Sequence, residues 1–318
     1  MAQLYERVAL IGLGLIASSM AHAMRRGGLA GEIVGTARSA ESREITRDLG
    51  FCDHVVDTAA EAVKDADLVI LAIPIGAMEA IATEIAPHLA QGATVTDVGS
   101  VKRAVVEAVA PQLPDHVHFI PGHPIAGTEK SGPEAGFASL FQDAWHILTP
   151  LPDQGAGYDQ AVARLTKFWK RLGARVETMD PARHDRVLAI TSHLPHLIAY
   201  NIVMTAKHLE DVTDSEVIKF SAAGFRDFTR IASSEPGMWH DIFKENSSAI
   251  LQALDMFSDG LAEFREAVVK GDSEKLLAIM TRANSARAHF LALSARSSFT
   301  RATTTDESSM SKAVQSAN

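Results

Sequence analysis

An apolar strand runs straight into a glycine-framed turn near the start of the chain, in the segment VALIGLGLIASSMAHAMRRGG at positions 8–28. Gly12, Gly14 and Ala17 stand there in a G-x-G-x-x-A pattern. Gly12 permits a tight turn, Gly14 lets the backbone close on a pyrophosphate, and Ala17 lets the following helix pack against the strand. The helix N-terminus supplies free N–H groups and the positive end of a dipole. Alone, such a pattern is weak; directly after an apolar strand and opening a helix, it has the context of a dinucleotide-binding βαβ unit. It predicts NAD or NADP bound along Gly12, Leu13, Gly14, Leu15 and Ile16, with Ile73 and Pro74 beside it after a later strand.

The second strand bears on which dinucleotide is used. It ends Gly35-Thr36-Ala37-Arg38-Ser39, with Arg43 close behind. No carboxylate stands where it would repel a ribose 2′-phosphate, and Arg38, Ser39 and Arg43 could bind one, which leans the reading toward NADP. An Arg38 stacked on the adenine would suit NAD equally well.

The first half of the chain continues in the same alternation. Strands are predicted at Val8–Ile11, Glu32–Thr36, Leu68–Ala72, Thr94–Asp97, Val117–Ile120 and His146–Leu148. Helices are predicted at Leu15–Arg26, Ala77–His88 and Val101–Ala110. A last α/β unit runs from Asp159 through Leu172 to Arg175–Thr178. This is the pattern of a Rossmann-like, doubly wound parallel sheet. From Pro181 the apolar spacing becomes helical, which predicts an all-helical second domain. The expected division is 1–179 for nucleotide binding, 180–298 for the helical substrate and dimerisation domain, and 299–318 for a disordered tail rich in Ser, Thr and Ala. Ile250, Leu254, Phe257, Leu261, Phe264 and Val268 form an a/d seam, which suits either an internal core helix or a helix packed on a partner subunit.

Composition narrows the function classes. A net charge of −9 argues against general binding to nucleic acid or anionic membrane, and a single cysteine, Cys52, excludes a disulfide framework or Cys-rich metal site. No run of about eighteen apolar residues suggests a membrane span, and the N-terminus has no basic leader or cleavage site. A cytosolic enzyme is expected.

Catalytic residue types gather in Gly122–Gly132, GHPIAGTEKSG, where His, Thr, Glu, Lys and Ser share a stretch with three glycines and a proline. That density makes a strand or helix interior unfavourable and predicts a backbone-defined loop. Further on, His193 and His196 flank Pro195 in an apolar helical run, and the proline should kink that helix. His-x-x-His without a nearby third ligand is a poor metal site, so no metal is expected.

Together, DVGSVK at Asp97–Lys102, GHPIAGTEKSG, SHLPH at Ser192–His196 and GFRDFTRIASSEPGMW at Gly224–Trp239 closely resemble the prephenate and arogenate (cyclohexadienyl) dehydrogenases of tyrosine biosynthesis, the TyrA family. The resemblance spans almost the whole chain. It implies oxidation of a cyclohexadienol ring by NAD(P)+ with loss of the ring carboxylate as CO2. Hydride leaves the ring carbon that bears a hydroxyl, so a neutral imidazole accepting from that hydroxyl stabilises the developing charge. By similarity His123 has that role, and its protonation near the ordinary histidine pKa of about 6.5 would disable it. Ser100 fits as a partner of His123 or of the substrate hydroxyl, although a serine there also suits helix capping. Arg230 matches the arginine that pairs with the ring carboxylate. Thr128 and Glu129 fit residues that order and gate the site, with Glu129 paired to a cation. His193 falls on the substrate, and His196 joins it with less support. Asp227 and Trp239 match positions that in family dimers reach an active site from the neighbouring subunit; Trp239 is otherwise an ordinary buried aromatic.

The resemblance implies a homodimer formed through the helical domain, with prephenate as substrate. An arogenate-specific enzyme is the alternative, since the two substrates differ only in a side-chain keto or amino group. Neither a fused chorismate mutase nor a C-terminal regulatory domain is expected, so any tyrosine inhibition would act at the active site. Two competing readings are another Rossmann-plus-helices dehydrogenase and a non-catalytic NADP-sensing regulator. The first would place a Lys or Asn on the helix HDRVLAITSHLPHLIAYN, which has Asn201 but no lysine. The second would not need His123, Ser100 and Arg230 together.

Overall fold

The computed structural model describes residues 3–128, 130–152, 154–213, 219 and 221–292. The expected tail at 299–318 lies outside them. Two compact units divide the chain, Met1–Ala253 and Leu254–Asn318, and every site residue discussed below belongs to the first.

The nucleotide-binding half opens with β1 (Tyr5–Ile11), α1 (Leu15–Gly27), β2 (Ala30–Thr36), α2 (Ala40–Leu49), β3 (His54–Val55) and α3 (Ala59–Ala62). It continues with β4 (Leu68–Leu71), α4 (Met78–Ile85), β5 (Thr94–Asp97), α5 (Arg103–Val109) and β6 (His118–Phe119). These six strands form one sheet in the order β3-β2-β1-β4-β5-β6, with every pairing parallel. The order reverses between β1 and β4, and that crevice is where open α/β sheets bind ligands.

The central strands are apolar on both faces because helices cover both faces. Val8 and Leu10 of β1 pack with Met20 and Met24 of α1. Ala9 and Ile11 pack on the other side with Met78, Ala82 and Ile85 of α4 and Val105 and Val109 of α5. Helix α1 ends at Gly28, whose left-handed conformation (φ 58°) turns its N–H back onto the carbonyls of Met24 and Arg25.

The remaining strands differ from the expected single sheet. β7 (Gly122–Ile125), β8 (Trp145–Leu148) and β9 (Arg175–Thr178), the last following α6 (Tyr158–Leu172), form a separate sheet. β7 and β8 are antiparallel; β8 and β9 are parallel. The segment expected to be a loop from Gly122 therefore starts as a strand. β7 is an edge strand, which is where a sheet tolerates a proline such as Pro124.

Past β9 the first unit is helical: α7 (Pro181–Leu188), α8 (Leu194–Thr213), α9 (Ala223–Thr229), α10 (Pro236–Glu245) and the start of α11 (Ser247–Lys270). The distortion expected from Pro195 is present as a π turn over Ala189–His193. Proline has no N–H to give the carbonyl four residues back, and the wider turn absorbs that loss. Pro181–Asp211 is long enough to cross a membrane, and an 18-residue window within it has a mean hydropathy of 1.4. Its buried positions, including Leu188, Ala189, His193, Leu194 and Ala199, pack inside the protein.

In the second unit, the α11 seam is open along most of its length. Phe257, Leu261, Phe264 and Val268 are exposed, Leu261 at 57% and Val268 at 64%. An internal core helix would bury those side chains.

Candidate active site

Two clefts meet at the switch point. The first, about 750 Å3, is lined by Gly14–Ala17 after β1, Ala72–Ile75 after β4, Val98–Ser100 after β5, and by His123, Thr128 and Lys130 after β6. Ser234, Glu235, Gly237, Met238, His240 and Asp241, at and before α10, lie along another wall. The second, about 760 Å3, runs from Gly12 past Thr36, Arg38, Ser39 and Asp57. Ala72, Ile73, Pro74 and Asp241 line both.

The two clefts fit the halves of a dinucleotide. Gly12 has φ 93°, and a Cβ there would stand 2.3 Å from the Ala72 carbonyl oxygen, so the turn is closed to any side chain. A Cβ at Gly14 would meet nothing within 4 Å, and α1 has no side-chain cap at that end. Its first N–H groups are thus free for a phosphate. Leu13 does not join the lining. It is buried under the turn, where Gly35 makes room for it: a Cβ at position 35 would be 2.8 Å from a Leu13 methyl. Arg43 also serves another purpose. Its guanidinium donates to the Ala37 carbonyl at 2.6 Å and pairs with Asp57 at 3.0 Å, bracing the loop that presents Arg38. Arg38 is exposed with no ion pair among the described residues, and Ser39 caps α2 by accepting from Ser42 N.

The lower end of the cleft is built on buried polar groups. Lys102, fully buried, donates to Asp97 and, at 2.6 Å, to the Gly122 carbonyl at the head of β7. The same Asp97 carboxylate accepts Gly99 N at 2.7 Å and Gly122 N at 3.1 Å. One ion pair thus ties the loop after β5 to the strand that carries His123. Burial lowers the Lys102 pKa, and the Asp97 carboxylate opposes that shift.

His123 is buried except where it lines the cleft. Its Nδ1 lies 2.9 Å from His184 Nε2, and His184 Nδ1 lies 2.8 Å from Asp185 Oδ1. Burial pushes the His123 pKa well below its ordinary value, and the nearby charges of His184, Lys102, His146 and His193 act the same way. The imidazole is therefore neutral through and below the physiological range, so the acid limit expected near pH 6.5 moves lower. Ser100 lines the cleft with no protein hydrogen bond among the described residues. It does not cap α5: Asp185 does, accepting Lys102 N at 2.7 Å and Arg103 N at 2.9 Å.

A second layer lies beneath. Asn246 donates to the Asp185 carbonyl at 3.0 Å and stands 3.1 Å from His193 Nδ1. Burial brings the His193 pKa down to about 4. Trp239 packs edge-on to His193 and stacks on His196 at 3.6 Å. The His196 pKa is lowered by burial first and then by the charge of Arg230.

Family models give this geometry its relatives. The model described as "Prephenate dehydrogenase, nucleotide-binding domain" matches residues 20–178, and "Prephenate dehydrogenase, dimerization domain" matches 180–282. The chain belongs to the prephenate dehydrogenase family. It is similar to the cyclohexadienyl dehydrogenase of Zymomonas mobilis, 40% identical over 283 residues that cover 89% of this chain and 95% of the relative. It is 37% identical to the prephenate dehydrogenase of Bacillus subtilis over 278 residues, 87% of this chain and 74% of that one. The crystal structure of Aquifex aeolicus prephenate dehydrogenase with hydroxyphenyl propionate and NAD+ superposes with a TM-score of 0.83 at 34% identity, covering 90% of this chain and 98% of that one. As a member of this family the protein is an NAD(P)-dependent dehydrogenase.

Among the family motifs, the structure brings Ser100, His123 and Thr128 into the first cleft with Leu15, Ile16, Ile73 and Pro74. His193, Trp239 and His196 follow as a packed group behind it, with Arg230 close enough to His196 to act on it electrostatically. Asp227 is exposed on α9, and Glu129 lies outside the described residues. Trp239 is buried within its own chain, in one core with Met78 and Ile242, because α10 turns its apolar face onto the nucleotide domain. Within one chain, Trp239 is thus placed as its alternative reading, the buried aromatic, describes. His184, Asp185, Lys102, Asp97 and Asn246 escaped sequence reasoning as site residues; their polar atoms meet only in three dimensions.

Proposed function

We propose that the protein converts prephenate and NAD(P)+ to 4-hydroxyphenylpyruvate, CO2 and NAD(P)H, and that arogenate is a second substrate, giving tyrosine. The observation that carries this reading is His123. It is a neutral imidazole on the cleft wall, with its Nδ1 engaged and its Nε2 without a protein partner among the described residues. Bound NAD(P)+ would supply the hydride acceptor. His123 Nε2 accepts from the substrate's ring hydroxyl as hydride leaves the same carbon, and the proton returns to oxygen once the ring becomes aromatic. Ser100, with its hydroxyl uncommitted, orients that hydroxyl. Arg230 pairs with the ring carboxylate until it leaves as CO2. Thr128 and Glu129 order the entrance, and His193, His196, Asp227 and Trp239 shape the substrate end.

Arg38, exposed and without an ion pair among the described residues, and the absence of an acidic residue at the end of β2 support a preference for NADP. The exposed seam of α11, together with the family model for a dimerization domain, supports a homodimer formed through the helical region 180–298. Enzymes of this type act on metabolites in the cytosol, which is the location we assign.

Initial rates, with prephenate and arogenate each crossed with NAD+ and NADP+, test the reading. Turnover of prephenate is expected, with the higher kcat/KM for NADP+. A higher value with NAD+ would refute the cofactor preference, and no turnover of either substrate would refute the function.

A further inference from the structure

We propose that His184 and Asp185 are positioning residues that fix the tautomer of His123 and share the proton it takes from the substrate. The inference rests on the reading of His123 as the hydroxyl acceptor.

Asp185 anchors the hydrogen-bonded chain. Its two oxygens accept the backbone N–H groups of Lys102 and Arg103 at 2.7 and 2.9 Å. A carboxylate so held stays ionised and can only accept. Burial alone would raise its pKa, but the hydrogen bonds from His184, Lys102 N and Arg103 N outweigh burial and leave it below the ordinary value. The nitrogen facing it at 2.8 Å, His184 Nδ1, must therefore carry a hydrogen. His184 is neutral, since burial lowers its pKa and the Asp185 hydrogen bond only partly opposes that. A neutral imidazole carries one N–H, so His184 Nε2 is a bare acceptor. It sits 2.9 Å from His123 Nδ1, which must donate. His123 Nε2 is then the bare nitrogen. That is the form able to accept a hydroxyl proton; the opposite tautomer would present an N–H and could not.

The charged and titratable groups that act on the pair, which besides Asp185 are Lys102, Asp97, His146 and His193, fit this assignment. Lys102 is engaged by Asp97 and the Gly122 carbonyl. His146 on β8 and His193 in the π turn are held neutral, chiefly by burial. Asp185 is thus the anion placed to balance a proton on the His123–His184 pair. Asn246 holds the Asp185 backbone in place.

During the reaction the C–H bond at the hydroxyl-bearing carbon breaks and its electron pair leaves as hydride to oxidised nicotinamide. The hydroxyl proton passes to His123 Nε2, and the His123 Nδ1 proton shifts toward His184 Nε2. The ring C–CO2 bond then breaks, and its electron pair makes the ring aromatic. The resulting phenolate takes the proton back from His123, so the relay ends as it began and no net proton is released.

A double-mutant cycle in the full-length protein tests this. His184→Phe should lower kcat about 100-fold or more, the scale of losing an oriented base, while KM for prephenate and cofactor stays within about twofold. His184→Gln should regain about tenfold, because its amide can donate to Asp185 and accept from His123. In a His123→Asn background, His184→Phe should change kcat by less than about twofold. Equal losses in both backgrounds would mean a purely structural role and overturn the proposal. A second measurement needs no variant at position 184 and no turnover. In 15N-histidine NMR of the wild-type protein, with His123 assigned by its loss in His123→Asn, Nε2 should give the unprotonated shift and Nδ1 the protonated one. A proton on Nε2 would overturn the proposal. The expected tautomer in a protein that does not turn over prephenate would refute the functional reading instead.

Discussion

Acidification from pH 7 to pH 5 should destabilise this protein well before its carboxylates protonate. The cause is a set of buried histidines held neutral. His193 has a folded pKa of about 4 against about 6.5 in the unfolded chain. Below pH 6.5 the unfolded state binds a proton that the folded state refuses, so stability falls as pH falls and the loss is complete below the folded value. For His193 alone this is about 2 kcal/mol between pH 7 and pH 5. His123 and His146, both shifted well below 6.5 chiefly by burial, add losses of the same sign. Domains are commonly stable by only about 5–15 kcal/mol, so the effect is large. Asp53 and Asp185, whose pKa values are lowered, act with the same sign in a lower window: their contribution is kept above the ordinary carboxylate pKa and lost only below it. The assay is urea unfolding at half-unit steps from pH 7.5 to 5. His146→Phe sharpens it. That ring stacks on Trp169 at 3.6 Å, and neither of its nitrogens has a hydrogen-bond partner among the described residues. The variant should keep the stack, raise stability by about 1–3 kcal/mol and flatten the acid slope. Stability that is unchanged or rising toward pH 5 would refute the reasoning.

Three further outcomes follow from the site's construction. Lys102→Met should cost about 3–5 kcal/mol in urea unfolding, since it strands the buried Asp97 carboxylate, and adding Asp97→Asn should recover part of that. Gly12→Ala should weaken cofactor binding by calorimetry and destabilise the protein by at least about 1–3 kcal/mol of backbone strain, because φ is 93° and the Ala72 carbonyl leaves no room. Arg230→Ala should raise KM for prephenate about 10- to 100-fold, the worth of a charge-assisted hydrogen bond, with KM for the cofactor nearly unchanged; equal effects would refute the carboxylate role.

The nucleotide half was legible because its signals are local. Thr94–Asp97 and Arg175–Thr178 were read to the residue, since short β-branched runs between turns have few alternatives. The second sheet was legible only in part: β8 and β9 could be read as strands, but neither β7 nor the separation from the main sheet could. Pro121 and Pro124 suppress the strand signal of Gly122–Ile125, and only pairing with Trp145–Leu148 makes it a strand. His123 could be singled out because it sits in a distinctive motif. His184 and Asp185 read as ordinary polar residues on an amphipathic helix; their partners, His123 and the amides of Lys102 and Arg103, are at least 61 positions away in sequence. Arg43 has contacts that its sequence position did not show. Beside any part it takes in cofactor binding, its guanidinium braces the loop through Ala37 and Asp57.

The central claim is that His123 accepts the hydroxyl proton in an oxidative decarboxylation. The most direct test compares wild type with His123→Asn for NAD(P)H formed at 340 nm and CO2 released from prephenate, with cofactor affinity measured on the same samples. The account predicts equal NAD(P)H and CO2 from the wild type, and a kcat for His123→Asn lower by about 10²- to 10⁴-fold with unchanged cofactor affinity. Full turnover by His123→Asn would contradict it.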